Sequence, residues 1–352
     1  MARVDGPDRL WARQLVTASL IELRLNMEFD LITVGDPTID TFLKIHDAHL
    51  ALKLRPRRTE LCIDYADKIP VDELHRMPAG NCVNAAVAAA RLNLRVAIFG
   101  VTGADAEGRS IRSDLESEGI DTSLMAVDRL RSTNVSTALV FRGERTLFVW
   151  HQPRSYHLPE LPTAAWIYAT SVGPRGASVN RLHRDLCSQL DRKPCHLAFS
   201  PGTHQLAMGA PALAPLLRRT DLLLLNREEA ADLTGMAGAE PKELLCALSR
   251  LGPKTSVMTD GLRGSYAFDG KRFLRTGILD APVVDRTGAG DAYGASVTVA
   301  LRLGASLELA MAWGTLQAAH VVGVFGATPG LLRLSRLRAF VHSHEELVAA
   351  EF

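Results

Sequence analysis

Cysteine is scarce: Cys62, Cys82, Cys187, Cys195 and Cys246 are all that 352 residues contain, an odd number with no C-x-x-C pair among them. Neither a disulfide framework nor a thiolate zinc site is indicated, and a reducing cytoplasm is the compartment expected. An excess of charge of one sign is missing too. Forty Lys+Arg against 39 Asp+Glu leave a formal charge of +1, which gives no sequence-independent pull toward nucleic acid or anionic lipid. Basic clusters such as Arg55-Pro56-Arg57-Arg58 and Arg218-Arg219 are first read as solvated surface. No Pro/Gly/Ser-rich or charge-block linker divides the chain, so its length fits one large α/β domain with an insertion better than separate modules.

One stretch, Leu309 to Leu332, goes uncharged for long enough to cross a bilayer. It contains Gln317, His320, Pro329 and the glycines Gly314, Gly323, Gly326 and Gly330. Such breakers make it a buried helix followed by a loop, and no membrane partner is expected. At the other end, residues 1–28 read as an N-terminal extension, either not native or loosely held, ahead of a domain over residues 29–352. Met1 to Asn26 lacks the form of a signal peptide, and Met27 directly opens a strand-like run.

What is present is alternation. Apolar runs at Asp30–Gly35, Arg95–Gly100, Trp166–Ser171, His196–Phe199, Asp221–Leu225 and Ser256–Thr259 read as doubly buried strands. Helical periodicity lies between and after them, at Val83–Leu92, Gly108–Glu118, Ser178–Asp191, Glu228–Leu233, Glu240–Leu251, Gly288–Leu303, Leu307–Val324 and Ser335–Ala349. The pattern predicts an α/β fold with three layers, a central mostly parallel sheet covered by helices on both faces. Thr41–Ile45 with Glu60–Tyr65, and Val135–Phe141 with Thr146–His151, read as strand pairs of a small separate sheet.

The most informative stretch is Asp285-Arg286-Thr287-Gly288-Ala289-Gly290-Asp291, which follows a strand-like Ala281–Val284 and runs into a small-residue helix. Glycines leave backbone N–H groups uncovered, and a helix N-terminus that offers free donors binds anions. A carboxylate beside such an anion hole suits a group that takes a proton from an attacking hydroxyl. A capping Asp explains the same residues in isolation. The spacing departs from the dinucleotide fingerprint, and Gly103 to Ser110 misses the Walker pattern because Arg109 stands where Lys is required.

Three further constellations carry polar chemistry. The first strand ends in Gly35-Asp36-Pro37-Thr38-Ile39-Asp40, where carboxylates face the ligand crevice of an open α/β sheet; Asp40 either accepts from two substrate hydroxyls or fixes a turn. Ala79-Gly80-Asn81-Cys82-Val83-Asn84 leads into an alanine-rich helix, its amides serving polyol recognition or a helix cap. Asn226 and Glu229 sit one helical turn apart, as hard oxygen ligands for Mg2+ through water or as a capping box.

Taken in this order, these stretches resemble the ribokinase-like (PfkB) family of carbohydrate kinases. The family's G-x-x-x-x-D turn stands as Gly35 to Asp40, its G-G-[KN]-x-x-N as Ala79 to Asn84, its N-x-x-E as Asn226 to Glu229, and its D-T-x-G-A-G-D as Asp285 to Asp291. Gly103-Ala104-Asp105 with Gly108, Thr259-Asp260-Gly261 with Gly264, and Gly326-Ala327 add to the match, which spans about residues 29–340. The resemblance implies a ribokinase-like fold with a small β-sheet lid, inserted from about 41–77 and 132–155, that is also the surface of a homodimer. It implies ATP-dependent phosphorylation of a hydroxymethyl group on a sugar or nucleoside, with Asp291 as general base and the amides of Gly288, Ala289 and Gly290 as anion hole. Asp40, Gly80, Asn81 and Asn84 would hold the substrate. Asn226 and Glu229 would organise hydrated Mg2+, Thr259, Gly261 and Gly264 would line the nucleotide site together with Asn226, and the backbone around Asp285 and Thr287 would bind a stimulating K+.

Four positions depart from the family pattern: Ala79 replaces its first glycine, Arg286 a small or hydroxylated residue, Ser200 an Asp or Asn, and Thr38 the ribose-contacting Asn of ribokinase. Substrate class stays open. A sugar phosphate would need basic groups, for which Arg131, Arg142 and Arg145 stand near the lid, with Arg145 the candidate substrate contact; a nucleoside would need a cover such as Phe42, Tyr65, Phe148 or Trp150. A non-catalytic sugar or nucleotide sensor on the same fold is the alternative from another class.

Overall fold

Nine strands form the main sheet of the computed structural model, which describes residues 27–46, 50–55, 58–141, 144–174 and 176–352. The expected N-terminal extension lies outside the described residues, apart from Met27 and Glu28. Six strands run parallel in the order Thr255–Thr259, Leu222–Asn226, His196–Phe199, Ala164–Ala169, Phe29–Val34 and Val96–Phe99. Helices cover both faces because each strand is apolar on both. In the first strand Leu31 packs into one core layer while Ile32 and Val34 pack into the other, and all three are buried. Each such side chain contributes about 1.5–3 kcal/mol when fully removed from water.

Three strands extend this sheet antiparallel: Ser265–Phe268, Phe273–Thr276 and Ala350–Glu351. The sequence reading missed them, since four-residue strands are too short to show alternation. The Asp269-Gly270 dipeptide was the available signal for the hairpin; the Asp269 carboxylate accepts from the N–H groups of Lys271 and Arg272 and closes its turn.

The small sheet is a single four-stranded unit, ordered Glu144–Trp150, Asn134–Phe141, Thr38–Ile45 and Val71–Ala79. One expected pairing is corrected. Thr38–Ile45 pairs with Val71–Ala79, whereas Arg58–Ile63 pairs with Leu50–Arg55 in a hairpin of its own. Val71–Ala79 escaped notice because it is an edge strand, exposed along Val71–Arg76 and carrying Pro78, which an edge tolerates. Ala281–Val284 is also not a strand: Val284 and Asp285 both donate N–H to the Val322 carbonyl, and Pro282 offers no ladder donor.

The uncharged stretch resolves as expected into a buried helix, Leu307–Val321, followed by irregular chain. No helix among the described residues is long and apolar enough to cross a membrane. The last helix stops earlier than its periodicity suggests, at Leu334–Ser343, before a short 3-10 turn at Glu345–Leu347.

Candidate active site

The signature turn is built around a buried carboxylate. Asp285 Oδ1 accepts from the Thr287 N–H at 2.9 Å and from the Thr287 hydroxyl, while Oδ2 accepts from the Gly326 N–H at 3.0 Å. The chain then turns through Gly288, whose φ of 74° lies in the left-handed region and whose Cβ, if it had one, would stand 2.4 Å from that of Ala327. This turn starts the helix Ala289–Arg302 and leaves its first N–H groups without intrahelical partners. Asp291 lies in that first turn.

A second helix, Asn81–Arg91, meets the first from across the crevice. Its alanine-rich sequence has high helix propensity, and Asn93, at φ 64°, ends it in the left-handed region that Asn tolerates. Gly80 precedes it at φ 99°, where a Cβ would lie 2.3 Å from the Asp36 carbonyl oxygen. The start of the helix is thereby pressed against the entry to the lid. From its first turn the Asn84 Nδ2 donates to Asp291 Oδ2 at 2.8 Å, and Asn81 bonds the same carboxylate. Burial pushes the Asp291 carboxyl up to about 6, the amides of Asn84 and Asn81 oppose the rise, and the charges of Glu229 and Asp40 add to it.

Asp40 comes from the lid strand Thr38–Ile45. Burial pushes it too up to about 6, against a hydrogen bond from Ser136 and the charge of Arg145, with Asp285 adding to the rise. Asp40 Oδ1 and Asn84 Oδ1 are both buried acceptors with no partner among the described residues, a state that costs about 1–3 kcal/mol each unless a donor reaches them. Donors such as the hydroxyls of a polyol would satisfy both.

Behind the signature helix lies a largely apolar cleft of about 360 Å3. Thr259, Gly261 and Gly264 line it together with Ala289, Gly290, Ala318, Ala319 and Val322. The flat apolar walls suit a purine base, with the helix N-terminus placed for its phosphates. A polar pocket of about 210 Å3 adjoins it, where Asn81, Asn226, Glu229, Gly290 and Asp291 come together with Ser200. The capping reading of the N-x-x-E pair is observed directly. Asn226 Oδ1 accepts from the Glu229 N–H at 2.8 Å and Glu229 Oε2 from the Asn226 N–H at 2.8 Å, a reciprocal capping box, and its burial raises the Glu229 carboxyl. Asn226→Ala is therefore expected to lower stability by about 1 kcal/mol with no divalent ion present, measured by urea unfolding in chelator; unchanged stability would remove the cap from the account.

Other candidates are placed elsewhere. Phe42 is buried against Phe325, with ring centroids 5.1 Å apart. Tyr65 is fully exposed, and Phe148 and Trp150 lie opposite Thr41 and Ile39, on the lid face turned away from Asp40. Of the four, only Phe42 shares the sheet face of Asp40. Arg131 pairs with Asp128, Arg145 pairs with Asp285 across the lid junction, and Arg142 lies outside the described residues. The sequence reading assigned no part to Asp36, whose carboxylate lies 2.8 and 2.7 Å from the Tyr156 hydroxyl and accepts from the Gly173 N–H at 3.0 Å. Burial pushes its carboxyl up to about 7. Asp36 and Tyr156 sit on the chain's entry to and return from the lid, so this bond ties the two hinge segments together. Nothing in the spacing of the two residues pointed to it.

A family model described as pfkB family carbohydrate kinase matches residues 52–333, well over half of the chain. The chain belongs to the PfkB family of carbohydrate kinases, a family of phosphotransferases. Its relatives include a nucleoside kinase of Methanothermobacter thermautotrophicus, 26% identical over 257 residues that make up 72% of this chain and 80% of that one. A 5-dehydro-2-deoxygluconokinase of Shouchella clausii is 24% identical over 284 residues, 74% of this chain and 85% of its own. Among solved structures, ribokinase of Arabidopsis thaliana complexed with ribose and ATP superposes with a TM-score of 0.71 at 20% identity, covering 90% of this chain and 99% of that chain. The ribokinase-like fold is that of this chain.

Proposed function

We propose that this kinase transfers the γ-phosphoryl group of ATP to a hydroxymethyl group of a neutral sugar or nucleoside, with Asp291 as the general base. The observation that carries the reading is the position of Asp291: a carboxylate pushed up to about 6, in the first turn of the helix whose N-terminal amides point to the same place. Relatives named as sugar and nucleoside kinases and a structural neighbour holding ribose and ATP support it.

In this reading Asp40, Gly80, Asn81 and Asn84 hold the acceptor, and Asn84 also orients the base. The amides of Gly288, Ala289 and Gly290 stabilise charge on the transferring group. Thr259, Gly261, Gly264 and Asn226 line the nucleotide site. Bound ATP supplies the phosphoryl group and Mg2+ shields its charge; Glu229 and Asn226, at the edge of the polar pocket, fit an oxygen-ligated and hydrated ion. The four-stranded sheet closes over the acceptor and keeps out water that would otherwise be phosphorylated. Its outer face, with Leu74, Phe148 and Trp150 exposed, is the surface offered to a second copy. A sugar phosphate is disfavoured as acceptor because Arg131 and Arg145 are both engaged by carboxylates.

A base must be ionised to act. The account therefore expects kcat/KM to rise through an apparent pKa of about 6 and to level off above it. The value belongs to Asp291 coupled to Asp40 and Glu229 rather than to one group. Asn84 donates to the ionised form, so Asn84→Ala is expected to move this acid limb to higher pH. A profile that is flat from pH 5 to 8, or a limb that moves to lower pH in the variant, would contradict the assignment.

A further inference from the structure

At the turn whose backbone is expected to bind K+, the nearest carboxylate is already occupied and a cationic side chain stands on it. Asp285 Oδ1 takes three donors: the Thr287 N–H, the Thr287 hydroxyl, and Arg145 Nη1 at 3.0 Å. Oδ2 takes the Gly326 N–H. A carboxylate offers about four acceptor sites, so little remains for a metal ion. Any cation at the remaining site would also face the guanidinium at close range, in a pair whose side chains are only 29% and 8% exposed.

Arg145 belongs to the lid strand Glu144–Trp150, and Asp285 to the body. The same guanidinium acts on Asp40, lowering its carboxyl against the effect of burial. One lid side chain thus places a positive charge on Asp285 of the body and near Asp40 of its own sheet, and it parts from Asp285 when the lid swings away.

We propose that Arg145 is a lid-borne cation that takes over at the signature turn the part expected of K+, so that closure of the lid itself completes the charge balance of the site and turnover needs no monovalent metal ion. The inference rests on the phosphotransfer reading for its kinetic test only.

The experiment compares wild type, Arg145→Gln and Arg145→Lys, purified in tetramethylammonium buffers, with K+ or tetramethylammonium added at a constant ionic strength of about 0.1 M. ADP release from Mg-ATP is measured with the best acceptor, and thermal unfolding without substrates. Wild type is expected to turn over at rates within about twofold with and without K+, and to show no K+-specific rise in Tm. Arg145→Gln is expected to lose roughly tenfold or more in kcat/KM, since an acceptor held in an unlatched lid is poorly positioned, and to regain part of it with K+. Arg145→Lys should keep more activity than Arg145→Gln without K+. Stimulation of wild type by K+ of fivefold or more, a K+-specific rise in its Tm, or an Arg145→Gln enzyme that matches wild type without K+ would each overturn the proposal. If no acceptor releases ADP, the phosphotransfer reading is what fails, and the unfolding comparison still decides this one.

Discussion

Asp291→Ala is expected to lower kcat by about 10²–10⁴-fold, the range that a positioned general base supplies, while leaving affinity for Mg-ATP within a few-fold of wild type. The reasoning is geometric. The carboxylate stands in the first turn of the signature helix, held by Asn84 and Asn81 from the opposite helix, where a hydroxyl bound between the two helices would present its proton. The apolar cleft proposed for the nucleotide base is lined by other residues, from Thr259 to Val322, while Asp291 lines the adjoining polar pocket with Asn226. Removing the carboxylate relieves a buried group whose ionised form is disfavoured but leaves the Asn84 and Asn81 amides without their acceptor, so thermal unfolding of the variant is measured alongside. Kinetics with nucleotide titration in parallel separate the outcomes. Full turnover would exclude Asp291 as the base, and lost nucleotide binding would mean that the helix start had collapsed.

Gly80→Ala is expected to cost at least about 2 kcal/mol of stability and more than tenfold in turnover. At φ 99° an alanine is strained whatever space surrounds it, and here its Cβ would meet the Asp36 carbonyl oxygen at 2.3 Å. Relief requires either the hinge at Asp36 or the start of the Asn81–Arg91 helix to move. In the first case the lid loses its registration, and in the second Asn81 and Asn84 leave Asp291. Urea unfolding and steady-state kinetics on one preparation test both parts; wild-type behaviour in both would show that the hinge and the asparagine helix are not rigidly coupled.

How far the sequence revealed this arrangement depended on what each feature needs from its neighbours. The parallel strands were legible because burial on both faces writes Val, Ile and Leu runs such as Leu31 to Val34 directly into the chain. The signature turn was legible because a left-handed residue at a helix start favours glycine, here Gly288. Illegible were the exposed edge strand Val71–Ala79, held by pairing rather than by burial, and the hairpin after Thr259, whose strands are mostly buried but too short to show a period. Illegible too were contacts between residues far apart in the chain: Arg145 with Asp285, Tyr156 with Asp36, Asn84 with Asp291. Each partner alone has an ordinary local explanation, and only the fold shows that a lid arginine ends on the carboxylate of the turn expected to serve a metal ion. The Asn226–Glu229 pair shows the converse case, since the capping explanation and the functional one describe the same two side chains.

The measurement that bears most directly on the central claim is ADP release from Mg-ATP over a panel of neutral sugars, nucleosides and sugar phosphates, with the phosphorylated product identified by 31P NMR and Asp291→Ala run alongside. The account predicts a phosphomonoester on a primary hydroxyl of one neutral acceptor class, formed by wild type and nearly abolished in the variant. A product formed equally well by Asp291→Ala, or binding of acceptors and ATP with no phosphoryl transfer to any of them, would contradict it.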